Sequence, residues 1–79
     1  MYSKEIAKEY VQMCKNFKLL REKKGLSIKE LSKASGVSEY IITNFENEVI
    51  TKRANVVHIF KLCRFFELDI YKIFSPLEQ

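Results

Sequence analysis

Residues 28–47 read IKELSKASGVSEYIITNFEN, and this stretch decides the fold. Ser27 stands just before it and Glu30 three residues later. The serine hydroxyl can therefore accept from the Glu30 backbone N–H, while the Glu30 carboxylate accepts from that of Ser27. Leu26 and Leu31 flank this capping box as a hydrophobic staple. A helix over Ile28–Ser35 follows, cut short by Gly36, which supplies a tight turn. Ser38 then caps a further helix, with Glu39 in the first turn where the helix dipole favours an acid and Val37 placed to pack on Ile42. That helix reaches about Asn47. Leu31, Val37, Ile42 and Phe45 point inward, and the small Ser32 sits where the two helices approach. The pattern predicts helix, tight turn, helix.

Upstream, Ile6, Tyr10, Met13, Phe17 and Leu20 recur every three or four residues, the stripe of a first helix that ends where Gly25 can adopt a left-handed conformation. Downstream, residues 48–53 lack an apolar period and read as a loop. A fourth helix is expected over residues 54–66, carrying Val56, Ile59, Phe60, Leu62, Cys63 and Phe66. This apolar coverage is wider than one small core requires, which makes the surplus a candidate dimer face. Asp69 caps a short fifth helix over Ile70–Phe74, stapled by Leu68 onto Ile73 and stopped by Ser75 and Pro76. No segment alternates with period two, so the class is all-α.

The chain has 79 residues, 47% of them hydrophobic, which leaves room for one domain and excludes disorder. A chain this short buries only about 60% of its unfolded surface, so a large enzyme with a deep cleft is not expected. No nucleophile with a base, carboxylate pair, metal set or phosphate loop appears, and no catalytic residue, cofactor or small-molecule ligand is assigned. Cys14 and Cys63 each lie in an apolar stripe without CxxC spacing and read as reduced core residues. His58 is the single histidine and reads as a packing or surface residue. No uncharged run comes near the roughly 20 residues of a membrane span, and the N-terminus has no signal-like apolar region, so a cytoplasmic protein is expected.

The spacing over residues 28–47 is that of a helix-turn-helix. Together with FKLLREKKGLS, ELSKASGVS, IITNFEN and FFELDIYKIF, it resembles the Cro/repressor-type (XRE-like) helix-turn-helix family of bacterial and phage transcription regulators. The resemblance covers residues 14–74. It implies a compact five-helix, lambda-repressor-like bundle whose third helix enters the DNA major groove, as one half of a homodimer on a palindromic operator. Residues 1–13 then form an N-terminal extension of the first helix and residues 75–79 a short tail. With so little chain after the bundle, no ligand-sensing domain is expected.

By position in the family pattern, Glu39, Tyr40, Thr43 and Asn44 would face base edges. Ser27, Lys29, Ser38, Asn47 and Lys52 would meet phosphates. Asn suits adenine, Thr a thymine methyl or a hydrogen bond, Glu the cytosine amino group, and Tyr can stack or bond a phosphate. Arg21 and Glu46 match a pair that joins the first and third helices as a structural ion pair, and Ile41 is expected half exposed beside the groove. The sequence also departs from the pattern. Ile28 replaces a frequent Gln, Glu48 and Glu67 replace frequent Gly, Ala54 replaces Pro, and the loop after the third helix is about two residues longer. The dimer would form through the fourth and fifth helices or the N-terminal extension.

Charge offers a second reading. Residues 15–33 carry seven cations against Glu22 and Glu30, whereas residues 34–51 carry Glu39, Glu46 and Glu48 and no Lys or Arg, within a chain of net +4. DNA affinity would then rest on the first two helices and on Lys52 and Arg53, through phosphate neutralisation. The alternative is a bundle that has lost base readout and binds a protein through its acidic third helix or apolar fourth helix. Phage-repressor, mobile-element and restriction-modification controller types all fit the first reading.

Overall fold

The computed structural model describes residues 4–77, with side chains from Lys8 onward. The side chain of Ile6, residues 1–3 of the expected extension and residues 78–79 of the tail lie outside that description. The chain forms α1 (Lys4–Lys23), α2 (Ile28–Ser35), α3 (Glu39–Glu46), α4 (Val56–Phe65) and a 3-10 helix (Ile70–Phe74). No strand occurs among the described residues.

Each boundary has a local cause. The expected capping box at α2 is present, with the Glu30 N–H donating to Ser27 Oγ at 3.0 Å and the Ser27 N–H to Glu30 Oε1 at 2.8 Å. Ser38 Oγ accepts from the Ile41 N–H at the start of α3. Gly36 ends α2 at φ +81°, its N–H donating to the Ser32 carbonyl.

α1, α3 and α4 end in the same way. The N–H groups of two successive residues reach back into the last turn: Gly25 to Glu22 and Leu26 to Arg21, Glu48 to Phe45 and Val49 to Asn44, Glu67 to Arg64 and Leu68 to Cys63. This is the Schellman arrangement, which needs one left-handed residue. Gly25 serves at the first, with φ +68°, but glutamates serve at the other two, Glu48 with φ +60° and Glu67 with φ +55°. The two positions where glycine was expected from the family pattern are thus backbone positions that favour glycine.

One boundary differs from expectation. The fourth helix begins at Val56 rather than at Ala54. Asn55 is its cap, with Oδ1 accepting from the Val57 N–H and the Asn55 N–H donating to Nδ1 of His58. The fifth helix lies where expected, over Ile70–Phe74, and its type is 3-10. Asp69 Oδ1 accepts from the Tyr71 N–H, and the Lys72 N–H bonds the Asp69 carbonyl three residues back. Five residues between a cap and a Ser-Pro stop favour the tighter turn.

The core draws on every element: Met13, Cys14 and Phe17 from α1, Leu31 from α2, Val37 from the turn, Ile41, Ile42 and Phe45 from α3, Leu62 and Cys63 from α4, and Ile73. Phe17 lies between Phe45 and Phe66, with ring centroids 6.0 and 6.5 Å away. Burial pushes both thiols up to about 11, so they stay protonated and inert. One polar side chain joins this core. Asn16, 2% exposed, donates to the carbonyls of Ile73 and Ser75 at 2.7 Å each and accepts from Gln12, fastening the end of the chain to α1.

Candidate nucleic-acid interface

α3 divides cleanly. Ile41, Ile42 and Phe45 are buried, while Glu39, Tyr40, Thr43 and Asn47 are exposed and Asn44 half-buried. Tyr40, Thr43, Asn44 and Asn47 stand at i, i+3, i+4 and i+7, which places them on one face of the helix and its cap. Ile41 was expected beside the groove but is 3% exposed. It lies one position round the helix from that face, next to Ile42 and Phe45, where the core takes it in.

The outward face is polar and hydrogen-bonding. Asn44 Nδ2 donates to the Tyr40 carbonyl at 2.8 Å, a bond that orients the amide along the helix while Oδ1 keeps its acceptor capacity. Ser38 uses its hydroxyl oxygen as a cap acceptor and retains a proton to donate, whereas the Ser27 hydroxyl accepts from the Glu30 N–H and also bonds the Glu30 carboxylate. Ser27, Lys29, Ser38 and Lys52 are all exposed. The Glu30 carboxylate lies at the α2 N-terminus, and the Ser27 backbone N–H and then its hydroxyl hold its pKa below the ordinary carboxylate value.

The mounting of α3 rests on Arg21. Its Nε donates to Glu46 Oε2 at 2.6 Å and its Nη2 to Glu46 Oε1 at 2.9 Å, while Nη1 donates to the Leu26 carbonyl at 2.7 Å. One guanidinium thereby ties α1, the α1–α2 turn and the last turn of α3. The side chains are 14% and 7% exposed. The bond to Glu46 raises the Arg21 pKa further above its ordinary value, so the guanidinium is charged at any physiological pH.

This pairing changes the charge argument. Of the three acids in residues 34–51, Glu46 is neutralised by Arg21 and Glu48 lies beyond the α3 C-cap. Only Glu39 remains as an acid on the exposed part of the helix. From the following loop Arg53 folds back, its guanidinium carbon 5.1 Å from the centroid of the Tyr40 ring. A cation distant in sequence therefore stands on the face that the linear charge count left bare. Nothing in the local pattern signals that contact. Asn16 and the Asn55–His58 cap were also missed, although an Asn before an apolar run is a cap signal.

A second surface is apolar. Val49, Ile50, Val56, Val57 and Phe60 are each 44–56% exposed, around the loop and the start of α4. Ile50 and Val56 border a shallow cavity of about 200 Å³ shared with Tyr10, Phe45 and Ile59. Among the described residues no group of His, Cys, Asp and Glu is placed to hold a metal ion, and no helix is long and apolar enough to cross a membrane.

A two-helix unit joined at a left-handed glycine, with its second helix buried on one side and polar on the other, defines a helix-turn-helix protein. Residues 14–75 match the family of helix-turn-helix domains, of the XRE-like type, and the chain belongs to that family. The domain points to a DNA-binding regulator in general. Comparison with curated proteins and with solved structures gave no match.

Proposed function

We propose that this protein is a sequence-specific, double-stranded DNA-binding transcription regulator, repressor-like in action, that occupies a palindromic operator as a homodimer. The observation that carries this reading is the exposed polar face of α3, Tyr40, Thr43, Asn44 and Asn47, held outward by three buried apolar residues. Thr43 and Asn44 offer donors and acceptors to base edges, and Glu39 an acceptor for a cytosine amino group. Ser27, Lys29, Ser38, Asn47 and Lys52, all exposed, are the residues we assign to the flanking phosphates. The apolar surface of Val49, Ile50, Val56, Val57 and Phe60 is the face we assign to the second copy, since a two-fold partner would bury it beside the reading helix.

The test is selection of bound duplexes from a random pool, followed by affinity measurement across salt. An enriched inverted repeat with half-sites about one helical turn apart, near 34 Å, supports the reading. Asn44→Ala should then weaken the selected site by about 1–3 kcal/mol and leave nonspecific binding unchanged. A pool without a motif, with only weak binding to any duplex, refutes it and favours the protein-binding alternative.

A further inference from the structure

We infer that the Tyr40 ring is a platform that seats the Arg53 guanidinium against the exposed face of α3, and that Arg53 in this seat binds a backbone phosphate of the DNA. The inference rests on the DNA-binding reading above and assigns Tyr40 a positioning role rather than base readout. Both residues are exposed, so their contact at 5.1 Å is not forced by core packing. Arginine in solvent samples many rotamers, and each phosphate contact it makes must first order that side chain. Stacking does this beforehand. The contact is made by the guanidinium carbon over the ring, and a guanidinium held through its face keeps its in-plane N–H donors for the fork geometry that suits a phosphate. Among the described residues those donors meet no acceptor.

The seat also answers a need of this helix. Residues 34–51 contain no Lys or Arg, and among the described residues Glu39 has no ion-pair partner at the start of α3. An acidic residue brought toward a phosphate backbone requires a nearby cation, and the loop supplies one from beyond the far end of the helix. Because the phenol hydroxyl takes no part in the stack, Tyr40→Phe should behave as the native protein, whereas Tyr40→Leu should not.

The experiment uses the full chain and its selected duplex, with circular dichroism to confirm that each variant is folded. Arg53→Ala should weaken binding by about ten-fold or more, as expected for a hydrogen bond to a charged group. It should also reduce the steepness of log K against log salt by about 0.9, the share of one phosphate. Tyr40→Leu should cost about two- to five-fold, with Tyr40→Phe restoring native affinity. In an Arg53→Ala background Tyr40→Leu should cost nothing further, and the preferred sequence should be the same throughout. In the free protein, the Arg53 δ protons should show an upfield ring-current shift that Tyr40→Leu abolishes. If Tyr40→Leu stays costly without Arg53, or changes the preferred base, Tyr40 reads the base and the platform is overturned while DNA binding stands. An unchanged salt slope in Arg53→Ala overturns the phosphate contact alone. Failure of the native chain to bind any duplex overturns this inference and the proposed function together.

Discussion

Replacing Glu48 or Glu67 by glycine should make the protein more stable. Each glutamate holds the left-handed position of a Schellman turn, at φ +60° and +55°. A side chain there costs roughly 1–2 kcal/mol through crowding of Cβ against the backbone. Glycine removes that cost but adds about 0.4–1 kcal/mol of freedom to the unfolded chain. The net gain is about 0.5–1 kcal/mol for each site, or several degrees of melting temperature, at about 4–8 °C per kcal/mol for a domain of this size. The converse changes provide an internal control. A Cβ at Gly25 or Gly36 meets no atom within 4 Å, so Gly25→Ala and Gly36→Ala should lose about the same amount for backbone reasons alone. Urea unfolding measures all four, and the slope with denaturant should stay constant while the midpoint moves. If both glycine variants lose stability while the alanine variants are neutral, the backbone argument is wrong.

Three other perturbations follow from particular bonds. Asn16→Ala removes the donors to the Ile73 and Ser75 carbonyls and should cost about 2–3 kcal/mol in urea unfolding, with the closing 3-10 helix the first segment to gain amide exchange. Arg21→Met strands the Glu46 carboxylate, which is 7% exposed, at a cost of about 3–5 kcal/mol. Adding Glu46→Leu should recover much of this loss in thermal melts, because the pair then leaves no uncompensated charge. Glu30 has a folded pKa below its unfolded one. Its contribution is therefore complete above the unfolded carboxylate value and disappears as pH falls through the folded value. The stability advantage of the native chain over Glu30→Gln, measured against pH, should shrink toward the acid side; an advantage that grows in acid would contradict the capping geometry.

The helix-turn-helix was legible because its signals are local. Ser27 with Glu30, Gly36, and Ser38 each act within one turn of the chain, and the apolar spacing around them matches the helical period. The closing helix was legible in its bounds but not in its 3-10 type, because a cap, a staple and a stop leave the choice between two tight turns open. Ile41 was misplaced because periodicity gives the centre of a buried face better than its width. The Arg21–Glu46 pair was named from family resemblance, not from spacing, since 25 residues separate the partners. Asn16 reaches across 57 residues to its carbonyl at Ile73, and no sequence pattern foretells such a bond. The Arg53–Tyr40 stack was hidden for the same reason, although the charge count had already shown that a cation was missing there.

The division of α3 into two chemically separate faces has a consequence for how such a regulator can change. Its aim is set from behind by Ile41, Ile42, Phe45 and the Glu46 carboxylate in the grip of Arg21. Glu39, Thr43 and Asn47 project into solvent, and among the described residues no fold-bearing bond depends on their side chains. Exchanges at these positions should be nearly neutral for folding. On the proposed reading, a lineage carrying this scaffold moves to a new operator by surface substitutions alone, with no compensating change in its interior. For the same reason, a designer seeking altered specificity can rewrite these three positions and leave every buried residue in place.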